Sequence, residues 1–480
     1  MRILLIKPPL NENLLAPNND EPLELEYVAA AASGHDVEIL DMRIEKNLWK
    51  KLENLRPDLV GITAYTCDVR RAKEVLREVK KFDAKIKTVV GGHHATILPA
   101  DFALPFVDSV FIGMADDSFK QFVNLMDAGR DVRETNNIAL VKDNELYFTE
   151  QKPFAANLDL IPFPARDLTR HYRKHYRDSV KNITGLIVTS RGCPYRCTFC
   201  ACWKIMKGKY ITRSPESVVA EYAGLPEEID LVCFADDNTL HGTGRAWRLI
   251  SLIKERGIKK RFMMYARTDL IVSHPDLVES LRDIGLEYLL VGVESFKDEE
   301  LKKLNKKVAA QTNIEALQIL RKLGISVSPH LIVDPEFTKE DFRELFRYVC
   351  DMELFRPVYT VLTPLPGTQL YEDNYDRLAI RDYDYFDFTH SVLPTRLSRR
   401  EFYRQYASLY NKSYSFRRYF RWKLRYLADL GRKKKRFPPP ASDRIPFFLL
   451  ALLRAYAVRL YIGIRKRYKT EPLVNKLTRA

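Results

Sequence analysis

Residues 189–204 read TSRGCPYRCTFCACWK. Three cysteines stand at Cys193-x3-Cys197-x2-Cys200, directly after the strand-like run Leu186–Ser190. A loop this short can wrap three thiolates around one corner of an iron–sulfur cube, whereas ordinary electron-transfer clusters take four cysteines. The fourth iron is then open to a substrate or cofactor. Arg191, Arg196 and Lys204 lie close enough in sequence to offset thiolate charge. The competing reading is a zinc knuckle, but zinc sites want a fourth Cys or His in paired spacing. Cys202 follows Cys200 too tightly for that pairing and reads as a neighbour rather than a ligand. The remaining cysteines, Cys67, Cys233 and Cys350, are scattered. An odd, clustered set in a long chain implies a metal site in a reducing compartment, not a disulfide framework.

Outward from this loop, residues 183–365 alternate strand-like and helix-like pieces. Six strands are expected at Leu186–Ser190, Leu231–Asp236, Arg261–Arg267, Tyr288–Glu294, Ser326–Asp334 and Val358–Pro364. Helical spacing at Gly244–Glu255, Asp276–Asp283, Thr312–Leu323 and Lys339–Met352 separates them. Six β/α units make a partial barrel, whose site is built at the strand C-termini. The candidates there are Asp236, Asp237, Arg267, Glu294, Asp334 and the Pro364–Thr368 turn.

Upstream, residues 1–150 alternate in the same way. Apolar runs at Arg2–Ile6, Val37–Leu40, Leu59–Ala64, Thr88–Val90 and Ser109–Ile112 predict five parallel strands, with a helical stretch at Cys67–Phe82. This is an α/β, Rossmann-like layer. Its ligands belong at the strand carboxyl ends, which carry Lys7-Pro8-Pro9, Thr63 to Thr66, Gly91-Gly92-His93-His94 and Gly113. The opening MRILLIKPP is too short an apolar run for a signal peptide, so a cytoplasmic protein is expected.

The division expected is 1–150 for the Rossmann-like domain, 151–182 for a Pro-punctuated linker, 183–395 for the partial barrel and 396–480 for a mostly helical, basic C-terminal region. The chain of 480 residues carries +15, but the segment from Arg396 holds 24 Lys and Arg against 4 Asp and Glu, or +20, leaving the rest at −5. Glu401–Leu430 is rich in Tyr and Arg, Arg432–Arg436 is wholly basic, and Ile445–Leu453 is apolar until Arg454 interrupts it. That run is too short for a spanning helix, which needs about 20 apolar residues. It reads as an interfacial helix on an anionic membrane surface. A buried core helix and RNA binding by basic residues and tyrosines are the rival readings. Nucleic acid is disfavoured as a partner because the apolar run has no use on RNA.

The Cys193-x3-Cys197-x-Phe199-Cys200 pattern resembles that of radical S-adenosylmethionine (SAM) enzymes. The resemblance implies a [4Fe–4S] cluster on Cys193, Cys197 and Cys200, with SAM chelating the open iron and yielding a 5′-deoxyadenosyl radical on reduction. It puts Phe199 near the adenine and Asp236, Asp237, Asn238, Arg267 and Glu294 toward SAM. The rival for each acidic residue is a helix cap or turn. A Rossmann-like domain ahead of the barrel, with IKPP, GHDVEILD, GITAYT and VVGGHHAT, is similar to the cobalamin-binding branch of that family. Thr63, Thr66, Gly91, Gly92, His94 and Gly113 are then the implied cobalamin contacts. The sequence departs from the branch at Met114-Ala115-Asp116-Asp117, where Glu-Gly-Glu is usual, and it lacks an Asp-x-His-x-x-Gly loop.

Farther on, TVLTPLPGTQLY and DYFDFTHSVLPT look like the hopanoid C-3 methylases. This implies a C-methylase of a lipid or isoprenoid. One SAM methylates cobalamin and a second supplies the radical that opens an unactivated C–H position. A low-potential electron donor, flavodoxin- or ferredoxin-like, is implied with it. A non-methylating relative (a ring cyclase or rearrangement enzyme), an RNA-modifying radical SAM enzyme, and a cluster-containing regulatory protein without turnover remain as alternatives.

Overall fold

The computed structural model of the protein describes residues 1–11, 19–154, 157–178, 181–415, 417, 418 and 420. The expectations for Arg432–Arg436 and the apolar run Ile445–Leu453 lie outside the described residues. Among the described residues no helix is long and apolar enough to cross a membrane. The chain divides into two units. One comprises Met1–Asn238 with Pro364–Asp376 and Ile380–Asp387; the other comprises Thr239–Thr363, Arg377–Ala379 and the described residues from Phe388 on.

In the first unit the apolar runs form a seven-stranded sheet of order β2-β1-β3-β4-β5-β6-β7. The strands are β1 (Arg2–Lys7), β2 (Asp36–Asp41), β3 (Leu59–Thr63), β4 (Lys87–Gly91), β5 (Ser109–Phe111), β6 (Ile138–Lys142) and β7 (Glu145–Phe148). β1 to β5 are parallel, as the alternation predicts. β6 and β7 add an antiparallel hairpin to the five expected strands. Its two-residue turn is Asp143-Asn144, both with positive φ (54° and 61°), the conformation that right-twisted hairpins demand and that Asp and Asn tolerate.

Both faces of this sheet are buried. Helices Leu48–Leu55 and Val69–Phe82 cover one face and Leu23–Ala31 and Asp116–Asp127 the other. Burial on two sides is what near-continuous apolar strands require.

A 3₁₀ segment, Arg166–His175, ties this unit together. Arg166 ion-pairs with Glu21 and with Glu221, and Arg213 pairs with the other oxygen of Glu221. Glu26 is fully buried beside them, takes a hydrogen bond from the Thr169 hydroxyl, and leaves Oε2 without a hydrogen-bond partner. Burial, and after it the neighbouring Glu21 charge, push the Glu26 carboxyl up to about 8. The folded protein therefore holds a proton there that the unfolded chain releases near pH 4.5. Stability is expected to fall as pH rises from about 4.5 to about 8 and to level off above. Glu26→Gln should flatten that slope in thermal unfolding at pH 5 and pH 8.5; an unchanged slope would contradict the assignment.

In the second half of the chain, β8 (Thr184–Ile187) and β11 (Leu231–Phe234) pair in parallel in the first unit. β9 (Ser190–Arg191) and β10 (Ile211–Thr212) form a short antiparallel pair that closes the cysteine loop. The expected first barrel strand, Leu186–Ser190, is thus two strands, because the chain turns after Ile187 to present that loop.

The second unit holds β12 (Arg261–Arg267), β13 (Leu286–Glu294), β14 (Ser326–Val333) and β15 (Val358–Val361), all parallel in this order. Helix Thr243–Glu255 precedes them, and helices Pro275–Asp283, Ala310–Leu323 and Lys339–Asp351 separate them, all within a residue or two of the predicted bounds. The two strands of the first unit and the four of this one equal in number the six expected from the sequence.

Helix Arg399–Ser413 follows. Its tyrosines are spent on packing: the Tyr406 and Tyr410 hydroxyls donate to the Tyr359 carbonyl at 2.8 and 2.7 Å, and the Tyr403 hydroxyl accepts from the Ser391 amide at 2.8 Å.

Candidate cofactor sites

At the carboxyl ends of β1, β3, β4 and β5 the first unit encloses a cavity of about 360 Å³. It runs down between the sheet and two helices, past Leu5, Gly61, Val89 and Phe111 on one side and Leu25, Val28 and Phe119 on the other. A Cβ on Gly61 would stand 2.9 Å from the Leu5 side chain, so glycine keeps the sheet flat at the base of this slot. At the mouth lie Thr63, Gly91, Gly92 and Gly113, four of the residues expected there. Gly92 has φ +98°, and a Cβ would meet the Thr63 hydroxyl at 2.8 Å and the Ala64 backbone at 2.9 Å. Only glycine makes this turn.

Thr66 and His94 do not line the cavity. His94 is 1% exposed and takes both its hydrogen bonds inside the protein, Nδ1 with Thr66 Oγ1 at 3.2 Å and Nε2 with Asp101 Oδ2 at 2.8 Å. The mouth also carries His93 and Tyr65, which the sequence places at the strand ends without assigning them to cobalamin, and Glu24, which it does not single out. Glu24 Oε1 pairs with the buried Lys7 Nζ at 2.6 Å, and the ammonium also lies 4.9 Å over the Tyr65 ring. Lys7 overcomes the cost of burial and holds the Glu24 carboxyl below its ordinary value.

The far wall of the cavity is built by the cysteine loop and the residues after it, with Arg191, Gly192, Cys202, Ile205 and Met206, and by Asp237 beyond β11. Arg191 forms a two-point ion pair with Asp116 at 2.5 and 3.1 Å. Asp116 lies in the stretch that departs from the family pattern, so its carboxylate serves here as the anchor of the loop's first strand.

Gly192 has φ +88° and no room for a Cβ, which would stand 2.2 Å from the Lys209 carbonyl oxygen. Within the loop, the Cys197 carbonyl accepts from Trp203 Nε1 at 3.2 Å and from the Cys200 amide at 3.3 Å. The amide of Leu370, two residues past the Pro364–Thr368 turn, donates to the Thr198 carbonyl at 3.0 Å.

Cys193 and Cys200 are half-buried and Cys197 is buried. Burial raises the Cys193 thiol, opposed by a hydrogen bond from the Tyr195 amide, and charge on Cys200, Asp237 or Cys197 would raise it further. The three thiols therefore share one patch. Among the described residues no three His, Cys, Asp or Glu side chains converge tightly enough for a single metal ion. A zinc ion would need its sulfurs about 2.3 Å away on every side. Thiolates that each hold a different iron of one cube need not approach so closely, so this donor set fits a cluster better than zinc.

Beyond β11 the three acidic and amide residues differ in role. Asp236, 3% exposed, accepts from the Thr189 amide at 2.6 Å, the Thr189 hydroxyl at 2.5 Å and the Ser190 amide at 2.9 Å. It is spent on holding the approach to the cysteine loop. Asp237 accepts from the Gly192 amide at 3.0 Å and faces the cavity. Asn238 is 3% exposed, yet neither its amide nitrogen nor its amide oxygen has a hydrogen-bond partner. An orphaned buried amide costs roughly 1–3 kcal/mol per group unless a ligand satisfies it. That vacancy in the hydrogen bonding suits a polar cofactor such as SAM. Phe199 is half-buried on the loop.

In the second unit, Glu294 ends β13 in the left-handed region, φ +60°, a conformation that costs a non-glycine residue and marks functional sites. Lys306 Nζ pairs with it at 2.8 Å. The pair lies over Gly292, where a Cβ would stand 2.7 Å from the carboxylate. Arg267 donates to the Lys306 carbonyl at 2.8 Å and to Asp269 at 3.0 Å. Asn313 donates to the Val293 and Ser295 carbonyls, both at 3.0 Å, and fixes the backbone either side of Glu294. Arg267 and Glu294 thus share one network. Asp334, raised by burial, accepts from the Glu336 amide at 2.8 Å and caps its own turn.

Residues 187–349 match the family model of the radical SAM superfamily, and residues 16–123 match that of the B12 binding domain. The hopanoid C-3 methylase of Methylococcus capsulatus is 30% identical over 80% of this chain and 74% of that protein. The anaerobic magnesium-protoporphyrin IX monomethyl ester cyclase of Rubrivivax gelatinosus is 27% identical over 86% of this chain and 77% of its own. The fold is similar to that of the radical SAM methyltransferase TsrM from Kitasatospora setae, solved with cobalamin and a [4Fe–4S] cluster, at a TM-score of 0.62 and 18% identity over 79% of this chain and 75% of that one. The chain belongs to the cobalamin-binding radical SAM family, and is an enzyme whose cofactors are a [4Fe–4S] cluster, SAM and cobalamin.

Proposed function

We propose that the enzyme is a C-methyltransferase acting on an unactivated carbon of a lipid or isoprenoid, with Cys193, Cys197 and Cys200 holding the cluster and the cavity at the sheet ends holding cobalamin. When bound, the cluster supplies the electron that splits SAM and the cobalamin supplies a methyl group. The observation that carries the reading is the shared wall. Asp237 and Cys202 line the cavity, while Asp237 also holds Gly192 and Cys202 is hydrogen-bonded to Cys200. A radical made at the cluster and a methyl donor in the cavity must act on one substrate carbon, so two sites with a common wall are what this chemistry needs. Gly91, Gly92 and Gly113 let backbone approach a large ring. Asn238 offers SAM an unsatisfied amide, and Glu294, ion-paired with Lys306, offers an acceptor for its ribose or amino group.

The lipid substrate rests on the relative at 30% identity and on the downstream strings TVLTPLPGTQLY and DYFDFTHSVLPT. The basic segment from Arg396 suits an anionic membrane surface where such a substrate lies. Of the tyrosines of Arg399–Ser413, Tyr403 and Tyr406 are buried and Tyr410, half-buried, commits its hydroxyl to the Tyr359 carbonyl, which disfavours base stacking there.

The test is anaerobic reconstitution with iron, sulfide and hydroxocobalamin, followed by reductant, SAM and a membrane lipid extract. The expected products are 5′-deoxyadenosine and a lipid heavier by one methyl group, with the protein sedimenting on anionic vesicles. 5′-Deoxyadenosine with an unmethylated, ring-closed product would favour the cyclase chemistry of the Rubrivivax relative instead.

A further inference from the structure

His93 and His94 are neighbours on the short helix His93–Ile97 after β4. A helix turns about 100° per residue, so adjacent side chains leave in different directions. The structure gives the two imidazoles opposite fates. His94 is closed in, its ring edge-on to Tyr383 with centroids 4.8 Å apart. With Thr66 on one nitrogen and Asp101 on the other, it has no lone pair left to offer.

His93 opens into the cavity beside Gly91 and Gly92. Its ring meets Tyr65 edge-on, centroids 5.0 Å apart, and makes no hydrogen bond with any described residue. His93 is the exposed member of the pair, and the surrounding protein atoms lower its pKa against the opposing pull of Asp237 and Glu24. The ring is therefore biased toward its neutral form, oriented by an aromatic neighbour, and without a hydrogen-bond partner among the described residues at a strand carboxyl end. A neutral imidazole is a favoured ligand for cobalt-group metals.

We propose that His93 is the axial nitrogen donor this chain offers to the cobalt of bound cobalamin, and that His94 is a strut that fixes the Gly91-Gly92 turn. The proposal rests on the reading of the cavity as the cobalamin site. The step is a ligand exchange: the imidazole lone pair replaces a water molecule on cobalt, and no electron or proton changes hands.

The test uses the full chain loaded with cobalamin, held in the cobalt(II) state, and read by electron paramagnetic resonance. An axial nitrogen-14 splits each cobalt line into three; an oxygen ligand does not. Protein grown with nitrogen-15 histidine should give doublets instead, which separates a protein imidazole from the cofactor's own base. His93→Gln should lose the label-dependent splitting while retaining cobalamin, and His94→Gln should keep it while unfolding at a lower temperature. Splitting that ignores the label, or a doublet that survives His93→Gln, overturns the proposal. Failure of the unmodified chain to retain cobalamin would overturn the cavity assignment itself, and the proposal with it.

Discussion

Cys197→Ala is expected to abolish 5′-deoxyadenosine formation altogether. Cys197 is the most buried of the three loop cysteines, and its carbonyl holds Trp203 and the Cys200 amide. On the proposed ligand set, removing its thiol leaves two ligands where the cube takes three from this loop. Cys202 is pinned between Cys200 and Asp237 and faces the cavity. The expected readings are loss of iron and sulfide on desalting, loss of the charge-transfer absorption of the cluster, and no SAM cleavage. The Cys202→Ala variant should retain its cluster. A Cys197→Ala protein that still cleaved SAM would place the cluster elsewhere.

The second large effect concerns Lys306. Its ammonium and the Glu294 carboxylate form an ion pair whose side chains are 7% and 11% exposed. Removing one partner strands the other charge away from water, which costs about 3–5 kcal/mol. Lys306→Ala should therefore destabilise the protein by that amount in denaturant unfolding. Replacing both, as Glu294→Gln with Lys306→Met, should recover most of the loss, because the unpaired charge is gone. If Glu294 serves SAM, the double variant should be stable and yet bind SAM poorly. Tight SAM binding in a stable double variant would make Glu294 a structural residue only.

Much of the architecture is legible in the sequence, because buried parallel strands must be apolar runs. β1 to β5 and the barrel strands fall where those runs lie. The hairpin β6–β7 escapes because Glu145–Phe148 is largely exposed and carries little periodic signal. Its one clue is the Asp143-Asn144 turn. The cysteine spacing is legible as a motif of the radical SAM superfamily, whose model matches residues 187–349.

The finer roles are not legible, because they depend on the direction in which a side chain leaves the backbone. Asp236 and Asp237 are adjacent, yet one is consumed by Thr189 and Ser190 while the other faces the cavity. His93 and His94 divide in the same way. Glu24 and Asp116 are far in sequence from Lys7 and Arg191, and nothing local announces either ion pair. Thr66, expected at the cofactor, supports His94 instead. Asn238 is the converse case. Its position was expected to face SAM, and what the structure adds is a buried amide with neither end satisfied.

Under the function proposed above, one enzyme would take a hydrogen atom from a lipid carbon and return a methyl group to that same molecule. The most direct measurement gives the reconstituted enzyme SAM labelled with carbon-13 in its methyl group, together with a fully deuterated membrane lipid extract. The account predicts 5′-deoxyadenosine that carries deuterium and a lipid that has gained one carbon-13 methyl and lost one deuterium. Deuterium-free 5′-deoxyadenosine with no labelled lipid, from enzyme whose cluster and cobalamin are intact, would contradict it.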